Sequence, residues 1–138
     1  MPVLEPLVCT RVVATIAALD AAQWPTGSIA LRVAPDEALI LISDSVADRA
    51  ETADRSLVAV ADPHAIVELD SGWCGAWVPS DQALGLVERA CTWEPPRARP
   101  AFAQGAFADL PVKIWFEPDR VLFIVAAPFA ADLEARLR

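Results

Sequence analysis

The chain has 138 residues, of which 55% are apolar, and its 11 basic and 19 acidic residues give a formal net charge of −8. This length and composition suit one compact domain with its own core, and they argue against an intrinsically disordered chain. The negative charge repels phosphate backbones and anionic lipid headgroups, so neither nucleic acid nor a membrane is expected as a partner.

The apolar runs of the sequence are short. The longest of them, such as residues 121–128 and 38–42, fall far below the roughly 20 residues that cross a bilayer as a helix. Residues 7–19 are apolar, but Arg11 interrupts them and no basic segment precedes them, so a secretory signal is not expected. The sequence therefore predicts a cytoplasmic protein without a membrane span.

The beginning of the chain is predicted to be an extended N-terminal lead-in over residues 1–28. Pro2 and Pro6 bracket its start, and the turn-forming run at 24–27 closes it. The remaining residues, 29–138, are predicted to form one domain. The lead-in could pack against something other than that domain.

The first half of this domain begins with two short apolar runs, residues 29–33 and 38–43, on either side of a Pro-Asp pair, which predicts a β-hairpin. Apolar residues then recur every three or four positions over 44–62, a spacing that favours an amphipathic helix. Residues 64–69 and 73–78 predict two strands, or one long strand with a bend between them.

The second half begins with a helix at Ser80, whose hydroxyl is expected to cap the first turn. Its expected buried stripe consists of Ala83, Leu84, Val87 and Cys91. The proline-rich residues 94–105 predict a loop, residues 112–116 and 121–126 a second hairpin, and residues 128–137 a last helix. Hairpins and helices alternate without regular βαβ repetition. The predicted class is therefore α+β, a small mixed domain of antiparallel strands and about three helices.

Residues able to carry catalysis or to bind a metal are few. Cys9, Cys74 and Cys91 are widely spaced and form no CxxC pair, so small buried apolar residues are expected rather than a zinc or dithiol site. His64 is the single histidine, and a half-exposed histidine at a strand start is favoured over a general base. No catalytic residue and no metal ligand is predicted.

A longer pattern runs from His64 to Gly105. It contains the run Asp70-Ser71-Gly72, then a helix and an acid marked by Ala83, Val87, Cys91 and Glu94, then the run Phe102-Ala103-Gln104-Gly105. In this order the segment resembles the gamma subunit of heterotetrameric sarcosine oxidase and, more distantly, the folate-binding aminomethyltransferase of the glycine cleavage system. Ser80 and Asp81 stand where that family usually has glycine and proline.

This resemblance implies a fold like the folate-binding domain of the aminomethyltransferases. It implies a non-catalytic gamma-like subunit of a heteromeric sarcosine-oxidase-type flavoenzyme, which demethylates an N-methyl amine oxidatively and passes the carbon to tetrahydrofolate. The expected partners are larger subunits that carry the flavin and NAD. No cofactor is expected on this chain, although tetrahydrofolate remains possible. Whether the chain has activity alone stays open, and none is expected.

The resemblance also singles out ligand-binding candidates. In the related transferases an aspartate near the position of Glu94 works at the folate and the aminomethyl group, and a carboxylate can orient an amine or move a proton. An exposed ion pair with Arg97 explains Glu94 as well and is favoured. Asp70 and Ser71 are further candidates, although hydrogen bonds to their own turn are the commoner use of such residues.

Five tryptophans occur in a chain without tyrosine, and tryptophan is enriched at interface hot spots. Trp24 and Trp93 fall at the ends of predicted elements, which makes them the candidates for a partner interface. Trp73 and Trp77 share one strand parity, and core packing can explain some of the five.

Two alternatives remain open. The chain could be a free-standing folate-binding protein or an aminomethyltransferase-like enzyme in which Glu94 contacts the ligand. Binding of tetrahydrofolate by the isolated chain, lost in Glu94→Ala, would favour that function. The chain could also be an ordinary self-associating domain, which would form a homo-oligomer indifferent to folate and flavoprotein.

Overall fold

A computed structural model describes residues 2–41 and 59–138 of the chain. The strands are β1 Glu5–Val13, β2 Ile29–Ala34, β3 Glu37–Leu41, β4 Ile66–Pro79, β5 Ala101–Phe107, β6 Leu110–Phe116 and β7 Arg120–Ala126. The helices are α1 Ile16–Ala21, α2 Ser80–Ala90 and α3 Ala130–Arg136, and a 3-10 turn at Ala127–Phe129 leads into α3.

The strands of the described residues form a seven-stranded antiparallel sheet in the order β2-β3-β1-β4-β7-β6-β5. With three α-helices beside it, this sheet confirms the predicted α+β class. The chain divides by its contacts into an N-terminal unit, Leu7–Ser71, and a C-terminal unit, Gly72–Arg138 with the residues up to Pro6. Strand β4 contributes residues to both units.

The N-terminal unit contains the first predicted hairpin. Strands β2 and β3 pair antiparallel and close at Ala34 and Glu37, around the predicted Pro-Asp turn, and β1 pairs with β3. The stretch predicted as an extended lead-in holds β1 and also the helix α1, whose N-cap Thr15 accepts a hydrogen bond from the amide of Ala18 at 3.2 Å. The predicted domain boundary after residue 28 stays a prediction.

One apolar cluster of the N-terminal unit packs α1 against the sheet. Its buried members are Val12, Ala18, Leu19, Ala38, Ile40 and Val60. The helix predicted over residues 44–62 falls almost entirely on residues 42–58, which lie outside the described part of the chain.

Strand β4 runs without interruption from Ile66 to Pro79. Of the two alternatives left open by the sequence, one long strand is therefore confirmed, and Asp70-Ser71-Gly72 lie inside it rather than in a turn. The ladder between β4 and β7 begins at Trp73, directly after Gly72, so the chain is already extended there and has no room for a four-residue turn.

In the C-terminal unit, β6 pairs with β7 in the second predicted hairpin, and β5 pairs with β6. Helix α2 packs on one face of these strands through Ala83, Leu86 and Val87, and α3 packs there through Leu133 together with Leu137, the residue that follows it. The strand residues of this core are Ala76, Val78, Phe107, Leu110, Val112, Ile114, Phe116, Val121, Phe123 and Val125.

Three sequence predictions for this unit were wrong in detail. Leu84 is 41% exposed, and Leu86 takes the buried position instead. The Ser80 hydroxyl donates to the carbonyl of Glu117 at 3.4 Å instead of capping α2, because Pro79 occupies the N-cap. The loop expected to reach Gly105 ends earlier, since β5 begins at Ala101 and pairs with β6 throughout.

Candidate functional site

Glu94 lies in the loop between α2 and β5. Its carboxylate accepts a hydrogen bond from Nη2 of Arg97 at 3.2 Å, and the two side chains are 77% and 92% exposed. An exposed pair of this kind contributes at most about 1 kcal/mol. The geometry is that of the structural ion pair, in a loop open to solvent.

Asp70 and Ser71 are neighbours in β4, where Asp70 is half-buried and Ser71 is exposed. The negative charge of Asp70 acts on Cys9, where burial first and this charge second raise the pKa of the thiol to about 12. Both residues belong to the N-terminal unit and Glu94 to the C-terminal unit. Neither unit by itself brings the three candidates into one site.

The two candidate interface tryptophans are engaged within their own units. Trp24 is partly buried and packs against the α1 cluster. Trp93 is also partly buried, and its Nε1 donates to the carbonyl of Ala106 at 2.9 Å. A partner role for Trp24 and Trp93 stays a prediction, and their intramolecular packing already explains their positions.

His64 lies in an exposed turn, where its backbone amide forms a hydrogen bond with Asp62. The amides of His64 and Thr15 donate to the two carboxylate oxygens of Asp62 at 2.9 and 3.1 Å, and these bonds lower the pKa of Asp62. The three cysteines are free thiols. In the part of the chain that the structure describes, no group of three or more His, Cys, Asp or Glu residues could hold a metal ion.

A different set of residues is brought together on the C-terminal unit, on the face of β4-β7-β6-β5 opposite the helices. We call it the tryptophan face: Trp73 and Trp77 of β4, Leu122 and Ile124 of β7, Lys113 and Trp115 of β6, and Phe102 and Gln104 of β5. Directly paired residues share one face of a sheet. The ladder puts Trp77, Leu122, Trp115 and Phe102 in one row across the four strands.

Two cations lie over the indole rings of this face. The Nζ of Lys113 is 4.8 Å from the ring centre of Trp73, and the guanidinium carbon of Arg120 is 3.6 Å from that of Trp77. Cation–π contacts of this kind contribute about 0.5–1 kcal/mol at exposed sites. They hold the rings and the charges in place together.

Hydrogen bonds fix these charged groups further. Lys113 donates to Oε1 of Gln104 at 3.3 Å. One oxygen of Glu117 accepts from Arg120 Nε at 2.7 Å, and the other accepts from Trp115 Nε1 at 3.3 Å. Because Glu117 is the shared acceptor, the Arg120 and Trp115 side chains have a defined geometry on the face.

A groove of about 310 Å³ opens on the tryptophan face. Its floor includes the buried Ile124, and its walls and rim include Trp73, Lys113, Gln104 and Phe129, the last of which is 43% exposed. This volume is at the lower end of the roughly 300–1,000 Å³ typical of ligand pockets. Glu94, Asp70 and Ser71 do not line it.

Sequence reasoning missed most of this face. The shared parity of Trp73 and Trp77 was visible, but Trp115 joins them only through the register of β4, β7 and β6. One further signal was available: Lys113 is the single lysine of the chain, set between apolar residues in a strand.

Comparison with known proteins supports the fold. No protein-family model and no curated protein matches the chain. Among solved structures, the chain shares its fold with one chain of a heterotetrameric oxidase. That structure is the heterotetrameric sarcosine oxidase from Corynebacterium sp. U-96 in complex with pyrrole 2-carboxylate, with a TM-score of 0.70 and 18% identity over 97% of this chain and 80% of that chain. At this identity the likeness shows the fold alone.

No helix of the described residues is long and apolar enough to cross a membrane.

Proposed function

We propose that this chain is a non-catalytic gamma-like subunit of a heteromeric sarcosine-oxidase-type flavoenzyme. The observation that carries the proposal is the shared fold with a chain of a heterotetrameric sarcosine oxidase over 97% of this chain. The likeness covers a smaller share of the oxidase chain, 80%, so the two chains are of comparable size. The sequence pattern from His64 to Gly105 points to the same family independently.

In this proposal the larger subunits bind the flavin and NAD, oxidise an N-methyl amine and pass the carbon to tetrahydrofolate in the cytoplasm. This chain contributes a surface rather than a reacting group. Two features favour a non-catalytic role for this chain. Glu94, the residue that the resemblance singles out for ligand contact or proton transfer, is exposed and paired with Arg97. The tryptophan face, in contrast, presents three tryptophans and is bordered by Arg120, and tryptophan and arginine are enriched at protein interfaces.

The test is to purify the tagged full-length protein from its native host under gentle conditions. Mass spectrometry identifies the proteins that accompany it, and the visible spectrum of the eluate reports bound flavin. We expect a yellow complex that contains a large dehydrogenase-like chain and oxidises sarcosine, while the isolated chain is colourless and inactive. A colourless eluate without a larger chain would contradict the proposal.

One observation favours a second function, a free-standing folate-binding protein or aminomethyltransferase-like enzyme. The groove joins an aromatic wall, Trp73, to the ammonium group of Lys113, a combination that suits a planar ring with an anionic tail. Calorimetric titration of the isolated chain with tetrahydrofolate tests it. Loss of tetrahydrofolate binding in Lys113→Ala would support a folate site in the groove. Loss of binding in Glu94→Ala would instead support a direct contact between Glu94 and tetrahydrofolate.

A further inference from the structure

We propose that the indole of Trp93 is an autoinhibitory cap on the outer edge of β5, and that it blocks antiparallel pairing of this edge with β5 of a second copy of the chain. The sequence-based expectation assigned a partner contact to Trp93, whereas a cap prevents one. The cap lies within the C-terminal unit, so it acts whether or not the chain is part of a flavoenzyme.

Strand β5 is the last strand of the sheet in the part of the chain that the structure describes. Its inner edge pairs with β6 along its whole length. In an antiparallel ladder, alternate residues direct their backbone groups to opposite edges of a strand. The carbonyl of Ala106 meets the indole of Trp93, so Ala106 belongs to the outer set, and the alternation adds Gln104 and Phe102. An outer edge of this kind is a template for a further strand.

The sequence of β5 gives this edge little protection of its own. Natural edge strands are usually protected by charged residues, by proline or by a bulge. The seven residues of β5, AFAQGAF, include no charged residue and no proline, and their register with β6 runs without a bulge. Low net charge and the absence of proline are also typical of segments that associate as strands. Protection of the edge therefore falls to groups outside the strand.

Trp93 covers the outer edge of β5 near its C-terminal end. Its Nε1 donates to the carbonyl of Ala106 at 2.9 Å and occupies an acceptor that an added strand would use. The same nitrogen lies in close contact with Gly105. The indole also packs against the core of the C-terminal unit, which holds it in place. The edge is therefore blocked both by a hydrogen bond and by the volume of the ring.

The symmetry of the edge favours a second copy of β5 as the strand that the cap excludes. Two copies related by a two-fold axis present the same edge to each other. Gln104 is the central residue of β5, so it would face Gln104 of the second copy, and Ala106 would face Phe102. No like charges would meet, because β5 is uncharged. Each Trp93 blocks one end of this ladder, so the two caps together block both ends.

The hairpin that carries this edge is fixed by contacts of its own. The amide of Ala108, in the turn, donates to the carbonyl of Ala90 at 2.8 Å, and Nε of Arg136 donates to the carbonyl of Ala108 at 2.9 Å. These bonds tie the turn to the end of α2 and to α3. Removal of the Trp93 ring would therefore leave β5 in an extended geometry that can pair.

Self-association of the isolated full-length chain, measured by sedimentation velocity over a concentration series, tests the cap. Trp93→Ala removes the ring, and Trp93→Phe removes the donor but keeps an aromatic group. Trp115→Phe is the matched control, since it removes an indole that donates to Glu117 at 3.3 Å. We expect the Kd of self-association to fall at least tenfold in Trp93→Ala, to fall by a smaller factor in Trp93→Phe, and to stay unchanged in Trp115→Phe. Urea unfolding verifies that each variant is folded, and Trp93→Phe decides the test if Trp93→Ala is not.

A second substitution tests the proposed register. Gln104→Glu would place two carboxylates directly opposite each other in the paired strands, which destabilises a ladder. Within one chain the new carboxylate would lie beside Lys113, which donates to Gln104 at 3.3 Å, so the fold itself should tolerate the change. We expect Gln104→Glu, added to either Trp93 variant, to return the Kd of self-association to that of the unchanged chain.

Hydrogen exchange locates the contact. In the associated form of a Trp93 variant, the amides of Phe102 and Ala106 should exchange more slowly than in its dilute, monomeric form. Equal self-association of the unchanged chain and the folded Trp93 variants would overturn the cap. Association that leaves these two amides unprotected, or that persists after Gln104→Glu, would place the contact elsewhere and would also overturn it.

Discussion

A Cβ atom on Gly105 would lie 2.8 Å from Nε1 of Trp93, closer than folded proteins allow. The same indole nitrogen donates to the carbonyl of Ala106 at 2.9 Å. Among the strands of the described residues, β5 is the last in the sheet order, and a terminal strand leaves backbone groups without a strand partner. Trp93 supplies a donor to one of them, and only a glycine at 105 allows the ring to approach.

Substitution Gly105→Ala should destabilise the protein by roughly 1–3 kcal/mol, because the new methyl group forces Trp93 or the strand to move. Urea unfolding measures the change. Gly85→Ala is the matched control: it lies in α2, where a methyl group would have no atom within 4 Å, and it should stabilise by about 0.5–1 kcal/mol. Equal urea midpoints for Gly105→Ala and the unchanged protein would contradict this account.

The β5–β6 hairpin closes through Ala108 and Asp109, whose φ angles are 46° and 67°. Two consecutive positive φ angles in a two-residue loop are typical of a type I′ turn, which Asn-Gly adopts most readily. The double substitution Ala108→Asn and Asp109→Gly should therefore stabilise the fold by about 1 kcal/mol in urea unfolding. Gly27→Ala should do the opposite, since Gly27 has a φ of 82°. A loss of stability in the double variant would show that the native turn carries no strain.

Burial of Cys9 should make the protein sensitive to alkali. The thiol has a pKa of about 12 in the folded state and an ordinary pKa of 9.0, so the unfolded chain loses this proton first. The protonated thiol therefore contributes fully to the free energy of unfolding below pH 9.0. This contribution is lost as the pH rises toward 12, at about 1.4 kcal/mol per pH unit. Urea unfolding as a function of pH should show this slope, and Cys9→Ala should flatten it. Cys74→Ala is the control that removes a different thiol and retains Cys9, and an unchanged slope in Cys9→Ala would contradict the assignment.

Asp62 should contribute stability at neutral pH that disappears in acid. Its carboxylate accepts the amides of His64 and Thr15, and these bonds lower its pKa below 3.8 in the folded state. The contribution is present above pH 3.8 and is lost as the pH falls through the lowered pKa. Asp62→Asn should thus be less stable than the unchanged protein at neutral pH, with a smaller difference in acid. Asp36→Asn, at an exposed turn carboxylate, serves as the control and should change little.

Local chemistry was sufficient to predict much of the fold. The Pro-Asp pair at 35–36 and the turn at 117–120 each bring two apolar runs into a hairpin, because turn residues and strand periodicity act within a few positions. The helix that begins at Ser80 follows from its spacing of apolar residues for the same reason. The α+β class then results from the order of these elements.

The candidate site required information that no short window contains. Trp73 and Trp115 share a face only through the pairing of β4, β7 and β6, and Lys113 meets Trp73 through that register. The choice between two strands and one long strand over residues 64–79 stayed open for the same reason, because the ladder with β7 begins directly after Gly72. Pairing between distant segments therefore decided both the missed site and the continuity of β4.

The row of aromatic residues across the C-terminal unit has one more consequence. Trp77 and Trp115 flank Leu122 on neighbouring strands, Trp73 lies on the same face, and the chain has no tyrosine. Three of the five indoles that generate its ultraviolet fluorescence therefore report on one surface. Any molecule that covers this surface will change the tryptophan fluorescence of the unmodified protein. Binding at the tryptophan face can therefore be followed without a label.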